Sequence, residues 1–365
     1  MHPLCQAAPI KVLKAMQRRD TEGAASGARY LPRKIPFATV VTDLATPHPF
    51  WLHSGADLCF VPSRSFERAA KLRGFESSQL RLHGLPVRPA FAESLRNSGR
   101  EQKAELAETL GLLPNRKTVL VVGGGDGVGN LGAIVEALGE RMAERNAATG
   151  GESAPQLVVI CGKNHKLRQQ LRERSWGPHL HVVIEGFTTR MSDYMSTADT
   201  IVTKAGPGTI AEACCCGLPI MLSGHLPGQE SGNVGFVVDG GFGSYSSDPK
   251  VIASTVTGWL EDDAKLKDMS ERSLRASRPD ATQKIADDIV ALVNGKDAHA
   301  HWHAAAPTQS TSGAASGPIS RAEAKAARTA AKAAKTAAKA AEARARARAR
   351  ARSTTGRMPA AALST

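Results

Sequence analysis

The stretch Thr203-Lys204-Ala205-Gly206-Pro207-Gly208-Thr209-Ile210-Ala211-Glu212-Ala213 follows the short run Thr200-Ile201-Val202 and leads into an apolar segment with helical character. A β-branched run, a glycine loop and a helix start make a strand-turn-helix unit. Gly206 and Gly208 let the backbone turn sharply and remove the Cβ atoms that would block an anion, while Pro207 fixes φ between them. The free N–H groups of the helix's first turn and the positive end of its dipole then face one small volume. Glu212 lies one turn beyond Gly208 on the face that looks back toward the loop, where a carboxylate suits a ribose diol. Two readings stay open at this point: a phosphate cradle, or a turn whose glycines serve packing.

The same pattern surrounds this unit. Lys117 to Val122 reads as a strand, Gly123 to Gly129 as a second glycine loop and Asn130 to Ala147 as a helix. Leu157 to Cys161, His181 to Glu185 and Leu218 to Leu222 are further apolar runs, each ending in a polar or glycine-rich loop: Gly162-Lys163-Asn164, Gly186-Phe187 and Pro227 to Asn233. Alternating strands and helices argue for a parallel α/β sheet, whose loops ring one crevice at the carboxyl ends of the strands. Upstream, Pro36 to Thr42, Leu58 to Pro62 and Leu80 to Leu85 read as three more strands, and Arg18 to Arg33 as a surface loop after a short helix. The expected organisation is a partial N-terminal domain over 1–112, a nucleotide-binding domain over 113–295 and a low-complexity tail over 296–365.

At 365 residues the chain has room for two domains, and 42% hydrophobic content is ordinary for a globular protein. No apolar run approaches the length of a membrane-spanning helix. The N-terminus has neither a secretory signal core nor a complete plastid transit peptide. The net charge of +13 is concentrated in Arg321 to Arg352, where 11 Lys and Arg stand against two Glu. Alternating Arg and Ala there spreads charge around a helix and leaves no apolar face, so the tail is expected to be a disordered, solvated extension, with attraction to anionic lipid or nucleic acid as the alternative. The body lacks the interleaved basic and aromatic residues of a nucleic-acid binder. None of the six cysteines has zinc-site spacing, and no metal ligand set is apparent.

Two glycine loops on one nucleotide-sized domain suit a diphosphate. A dinucleotide would need an acidic residue about 20 residues after the glycines, and Glu140 is too near, so a nucleotide sugar is the better fit. Thr42-Asp43-Leu44, His48-Pro49 with Trp51 and His53, Asp57 to Ser63, Gly84 to Pro89, Gly123 to Gly129, Ile160 to Asn164, Thr203 to Ala213, and Pro227 to Glu230 with Gly232-Asn233 resemble, in order from about His2 to Ile289, the monogalactosyldiacylglycerol synthase family. That resemblance implies a GT-B fold of two Rossmann-like domains, the N-terminal one truncated here, and inverting transfer of galactose from UDP-galactose to 1,2-diacylglycerol at the plastid (chloroplast) envelope, with peripheral membrane contact and no cofactor or metal.

The same resemblance assigns Gly186 and Phe187 to the uracil, Glu212 to the ribose, the amides around Gly206, Gly208 and Thr209 to the diphosphate, and Gln229 and Glu230 to the sugar hydroxyls. Gly123, Gly124, Gly125, Gly127, Lys204, Pro207 and Asn233 complete the donor-binding set, and Trp51 and His53 are the acceptor-facing candidates. Family members carry their general-base histidine on a glycine-rich loop upstream of the region matching His2. Asp43 and His48 are the candidates in this chain, each with a structural alternative as a cap, turn or loop residue. A donor- or lipid-binding protein without transfer activity is the alternative function.

Overall fold

The computed structural model describes residues 6–25, 35–45, 48–94, 100–123, 130–148, 154–227 and 229–295. One compact unit, Met1–Ala304, contains all of them; a second, Ala305–Thr365, and with it the basic tail, lies outside the described residues.

The chain opens with helix α1 (Ala7–Ala25), which runs through the stretch expected to be loop from Arg18 onward. Alanine, arginine and glutamate carry little helix penalty, and the single Gly23 does not end it. Ile10 and Gln6 anchor the helix, the latter accepting a hydrogen bond at Oε1 from Thr39 Oγ1 (2.9 Å). Strands β1 (Ala38–Val40), β2 (Leu58–Val61) and β3 (Leu80–Leu82) form a parallel sheet in that order, with α2 (Arg64–Lys71) crossing between β2 and β3. Gly84, at φ +100°, turns the chain out of β3, and a β-carbon there would sit 2.6 Å from Arg278 Cβ, so only glycine fits. Short helices α3 (Pro89–Ser94) and α4 (Arg100–Thr109) lead to the second sheet.

That sheet is six-stranded and wholly parallel: β4 (Thr118–Val122), β5 (Gln156–Ile160), β6 (Val182–Glu185), β7 (Thr200–Lys204), β8 (Ile220–Gly224) and β9 (Gly243–Tyr245), in the order β6-β5-β4-β7-β8-β9. Its helices are α5 (Leu131–Ala148), α6 (His165–Glu173), α7 (Met191–Thr197), α8 (Pro207–Cys215), α9 (Ser231–Asp239), α10 (Pro249–Glu261) and α11 (Asp263–Ala276). Leu120, Val158, Ile201 and Leu222 point to one face, where they meet Phe91, Tyr194, Ile210 and Val237. Val119, Val159, Val202 and Met221 point to the other, against Ile134, Leu138, Ile252 and Trp259. Strands buried on both faces read as continuous apolar runs, which is why they are visible in the sequence.

The strand order places β4 beside β7, and the helices that follow them, α5 and α8, lie on opposite faces. This is the point where an open parallel sheet reverses direction and leaves a crevice outside the strand ends. Gly123, directly after β4, and the Gly206 to Gly208 turn after β7 flank it. The last helix among the described residues, α12 (Ala281–Val293), packs Ile285 on Leu58 and Phe60 of the three-stranded sheet rather than on the six-stranded one. The chain thus crosses between the two sheets twice.

Candidate nucleotide-sugar site

Helix α8 begins at the crevice with Gly206 as its N-cap and Pro207 as its first residue, so a residue without an N–H occupies a position that would not use one. Ile210 N–H is the first to bond back, to Gly206 O, and the amides of Gly208 and Thr209 belong to a first turn with no upstream partner in the helix. Neither Gly206 nor Gly208 has a positive φ, so the expected need for a sharp glycine turn is corrected: the turn is made in ordinary backbone space. What glycine supplies is room. A β-carbon at Gly206 would lie 3.8 Å from Lys204 Nζ and 3.9 Å from Thr209 Oγ1, filling the space between the lysine and the helix start.

Lys204, at the end of β7, bonds through Nζ to Glu230 Oε1 (2.7 Å), and Glu230 Oε2 accepts from Leu226 N–H (2.8 Å). Glu230 is only 4% exposed, so its carboxylate braces the loop after β8 and fixes the lysine; Gln229 beside it is exposed. Asn233, expected among the donor contacts, is fully buried. Its Oδ1 accepts from Ala45 N–H (3.2 Å) and its Nδ2 donates to Ala205 O (2.9 Å), which ties the loop after β1 to the loop after β7. It positions the site from behind.

Phe187 follows β6 on the same sheet edge with 71% of its surface exposed, while Gly186 is buried against Arg168. At Gly123 a β-carbon would meet Leu131 Cδ2 at 2.6 Å, so the leucine on α5 would have to shift to admit one. Gly124, Gly125 and Gly127 lie outside the described residues.

On the other side of the crevice, Asp43 is buried at 8% exposure and faces Glu230, His48 and Trp51. Burial pushes its carboxyl above the usual range; the Trp51 indole and the His48 ring pull it back, and the Glu230 charge pushes it further up. His48 is exposed, and its Nδ1 accepts from Phe50 N–H (3.3 Å), which leaves the neutral ring's proton on Nε2 and occupies the nitrogen that a base would use. Trp51 is 4% exposed in the core with Val41, Leu52 and Phe66. The expectation that it faces the acceptor is corrected: the indole fills the layer beneath the first sheet. His53 likewise folds back, its Nδ1 accepting from Gly55 N–H (3.1 Å).

Residues 1–87 match the family model for monogalactosyldiacylglycerol (MGDG) synthase, and residues 118–285 that for the glycosyltransferase family 28 C-terminal domain. The chain is 40% identical over 298 residues to monogalactosyldiacylglycerol synthase 1, chloroplastic, of Arabidopsis thaliana, covering 81% of this chain and 52% of the relative. It is 41% identical over 297 residues to the chloroplastic enzyme of Spinacia oleracea, with the same coverage. The chain belongs to the monogalactosyldiacylglycerol synthase family.

It spans about half the length of the curated relatives it matches. Among solved structures, the chain is similar to the UDP-GlcNAc 2-epimerase of Neisseria meningitidis bound to UDP-GlcNAc (TM-score 0.49, 16% identity, 65% of this chain and 61% of that one). It is also similar to Anabaena HepE in complex with UDP (TM-score 0.44, 14% identity, 76% and 77%). The match to the synthase model holds Asp43, His48, Trp51 and His53; the match to the family 28 domain holds Glu212 and the rest of the nucleotide-side candidates.

Between the two matches falls a residue of the Gly84 to Pro89 motif to which the resemblance assigns no role. Arg88, just before α3, reaches Glu212 on α8 with Nε at 3.1 Å and Nη2 at 3.0 Å, both to Oε1. Burial raises the Glu212 carboxyl, and the Arg88 charge pulls it partly back. A contact 124 residues long in sequence leaves no local signal, and Arg88 in Pro86-Val87-Arg88-Pro89 reads as an ordinary loop cation.

Asp43 carries a pH prediction in this synthase-family chain. A carboxyl that holds its proton more tightly in the folded state destabilises that state once ionised, so stability falls as pH rises from about 4 through the raised folded value. Asp43→Asn is expected to unfold at higher urea concentration than the parent chain at pH 7, with the gap closing toward pH 4. A variant less stable than the parent at pH 7 would contradict this.

Proposed function

We propose that the chain binds UDP-galactose in the crevice of the six-stranded sheet and transfers galactose to the free hydroxyl of 1,2-diacylglycerol. The observation that carries this reading is the convergence of the α8 helix start, Lys204 and Glu212 with the buried carboxyl of Asp43 at one crevice between the two sheets. The amides of Gly208 and Thr209 would take the diphosphate, Glu212 the ribose diol, and Gly186 with Phe187 the uracil edge. Gln229 is free to meet the sugar, whereas Glu230 acts through Lys204.

In the transfer step the acceptor oxygen attacks the anomeric carbon on the face opposite UDP. The carbon–oxygen bond to the diphosphate breaks with its electrons on UDP, and the hydroxyl proton passes to a base. Asp43 is the better base candidate than His48, because a buried carboxyl of raised affinity for protons is suited to accept one. Helix-end amides and Lys204 stabilise the charge that develops on the leaving diphosphate.

The acceptor is a membrane lipid, and no helix among the described residues is long and apolar enough to cross a bilayer. We infer peripheral contact, at the chloroplast envelope by analogy with the chloroplastic relatives, with the basic stretch Arg321 to Arg352 meeting anionic lipid.

Incubation with radiolabelled UDP-galactose and diacylglycerol liposomes, with and without anionic lipid, is the direct test. Labelled monogalactosyl lipid, formed in preference to glucosyl lipid from UDP-glucose, is the expected product. Tight UDP binding with no lipid product would overturn transfer and leave a donor-binding protein.

A further inference from the structure

Arg88 leaves the three-stranded sheet and arrives at the other one with its guanidinium 4.8 Å over the ring of Phe91, a residue only 1% exposed. Phe91 on α3 is part of the core beneath α7 and α8, so the arginine swings on a fixed base. Its Nε hydrogen bond and its Nη2 ion-pair contact both end on Glu212 Oε1, and its side chain is 56% exposed against 17% for the glutamate. An exposed guanidinium is released from such a pair at small cost, since solvent screens most of the attraction. The half-buried carboxylate it would leave, in contrast, needs a new partner.

Glu212 sits one helical turn, about 5.4 Å of rise, beyond Gly208, and its side chain leans toward the helix N-terminus. The guanidinium that pairs with it therefore hangs within reach of the volume faced by the first-turn amides. We propose that Arg88 is a donor-contacting residue that exchanges partners: it holds Glu212 while the crevice is empty, and moves to a phosphate oxygen of the nucleoside diphosphate when the ribose hydroxyls take the carboxylate. The inference rests on the reading of Glu212 as the ribose carboxylate. Because Arg88 lies on the segment joining the two sheets, the exchange also couples donor binding to the position of that segment.

The test compares UDP with uridine, which has the ribose and base but no phosphate, by calorimetry and ligand-observed NMR titration on the full chain. Arg88→Ala is expected to lose about tenfold in UDP affinity, as for one charge-assisted hydrogen bond, while uridine binds as well as before or more tightly because its competitor for Glu212 is gone. Arg88→Lys is expected to recover part of the UDP affinity, since a point charge still reaches a phosphate. Equal losses for UDP and uridine would overturn the exchange and make Arg88 a structural prop; unchanged UDP affinity would overturn it as well. A parent chain that binds neither ligand would instead sink the underlying reading of the site.

Discussion

Gly206→Ala is expected to lower UDP affinity by about a hundredfold in calorimetry, the loss of roughly two charge-assisted hydrogen bonds, while costing only about 0.5 kcal/mol of stability. The stability cost is small because the position is unstrained. Its φ of −70° is open to any residue, and the nearest atoms to an added β-carbon are 3.8 Å away, an ordinary contact distance. The binding loss is large because of where that carbon points. It would occupy the gap bounded by Lys204 Nζ and Thr209 Oγ1, and a phosphate oxygen must approach a backbone N–H to about 2.9 Å to be held by it. Affinity within threefold of the parent chain would show that the diphosphate is bound elsewhere on the crevice rim. A variant that fails to unfold cooperatively would show instead that the helix start needs glycine for its own sake.

That result also bears on what the amino-acid sequence reveals. The strands β4, β5, β7 and β8 are apolar runs closed by glycine or polar loops, and burial on both faces makes such runs easy to see. Strand β9 is different. Gly243-Ser244-Tyr245 has no apolar run, and its glycine is there because a β-carbon would come 2.1 Å from Ile220 O. Pairing against β8, a non-local fact, makes it a strand. Nor does any local pattern show that β4 lies next to β7, although this adjacency is what brings Gly123 and the Gly206 to Gly208 turn to one crevice.

The candidate site follows the same rule. Gly206, Gly208, Lys204 and Glu212 share one strand-turn-helix unit and were readable together, because their spacing alone puts them at one helix end. Trp51 was misassigned because a tryptophan between histidines in a proline-bounded loop has the look of an exposed anchor, whereas tertiary packing buries it. Arg88, though inside the quoted motif Gly84 to Pro89, has no role legible in the sequence for the converse reason. Its importance comes entirely from a partner on another sheet, and a single cation between two prolines carries no periodicity. Residues that act through a neighbour across the crevice are invisible until the crevice is built.

Asn233→Leu is expected to cost about 3 kcal/mol of folding free energy in urea denaturation, although leucine has the same number of side-chain heavy atoms, branched at the same position, as asparagine. The amide is fully buried and serves two backbone groups, Ala45 N–H and Ala205 O, on loops that follow strands of different sheets. Leucine offers no polar atom and leaves both groups without a partner, at about 1–3 kcal/mol each. A loss below 1 kcal/mol would mean that water replaces the amide and that the two loops are not joined through it. Asn233→Asp separates these possibilities by pH. At neutral pH the carboxylate still accepts from Ala45 N–H but opposes the Ala205 carbonyl in a site without solvent, so this variant should be the less stable of the two. Burial and that carbonyl both raise the carboxyl's proton affinity, and once protonated it donates to Ala205 O as the amide did. Stability of the aspartate variant should therefore recover as pH falls through the raised value toward 4, while the leucine variant shows no such recovery. An aspartate variant whose deficit stays constant over that range would place Asn233 in contact with solvent, and would return it to the list of residues that can touch a donor.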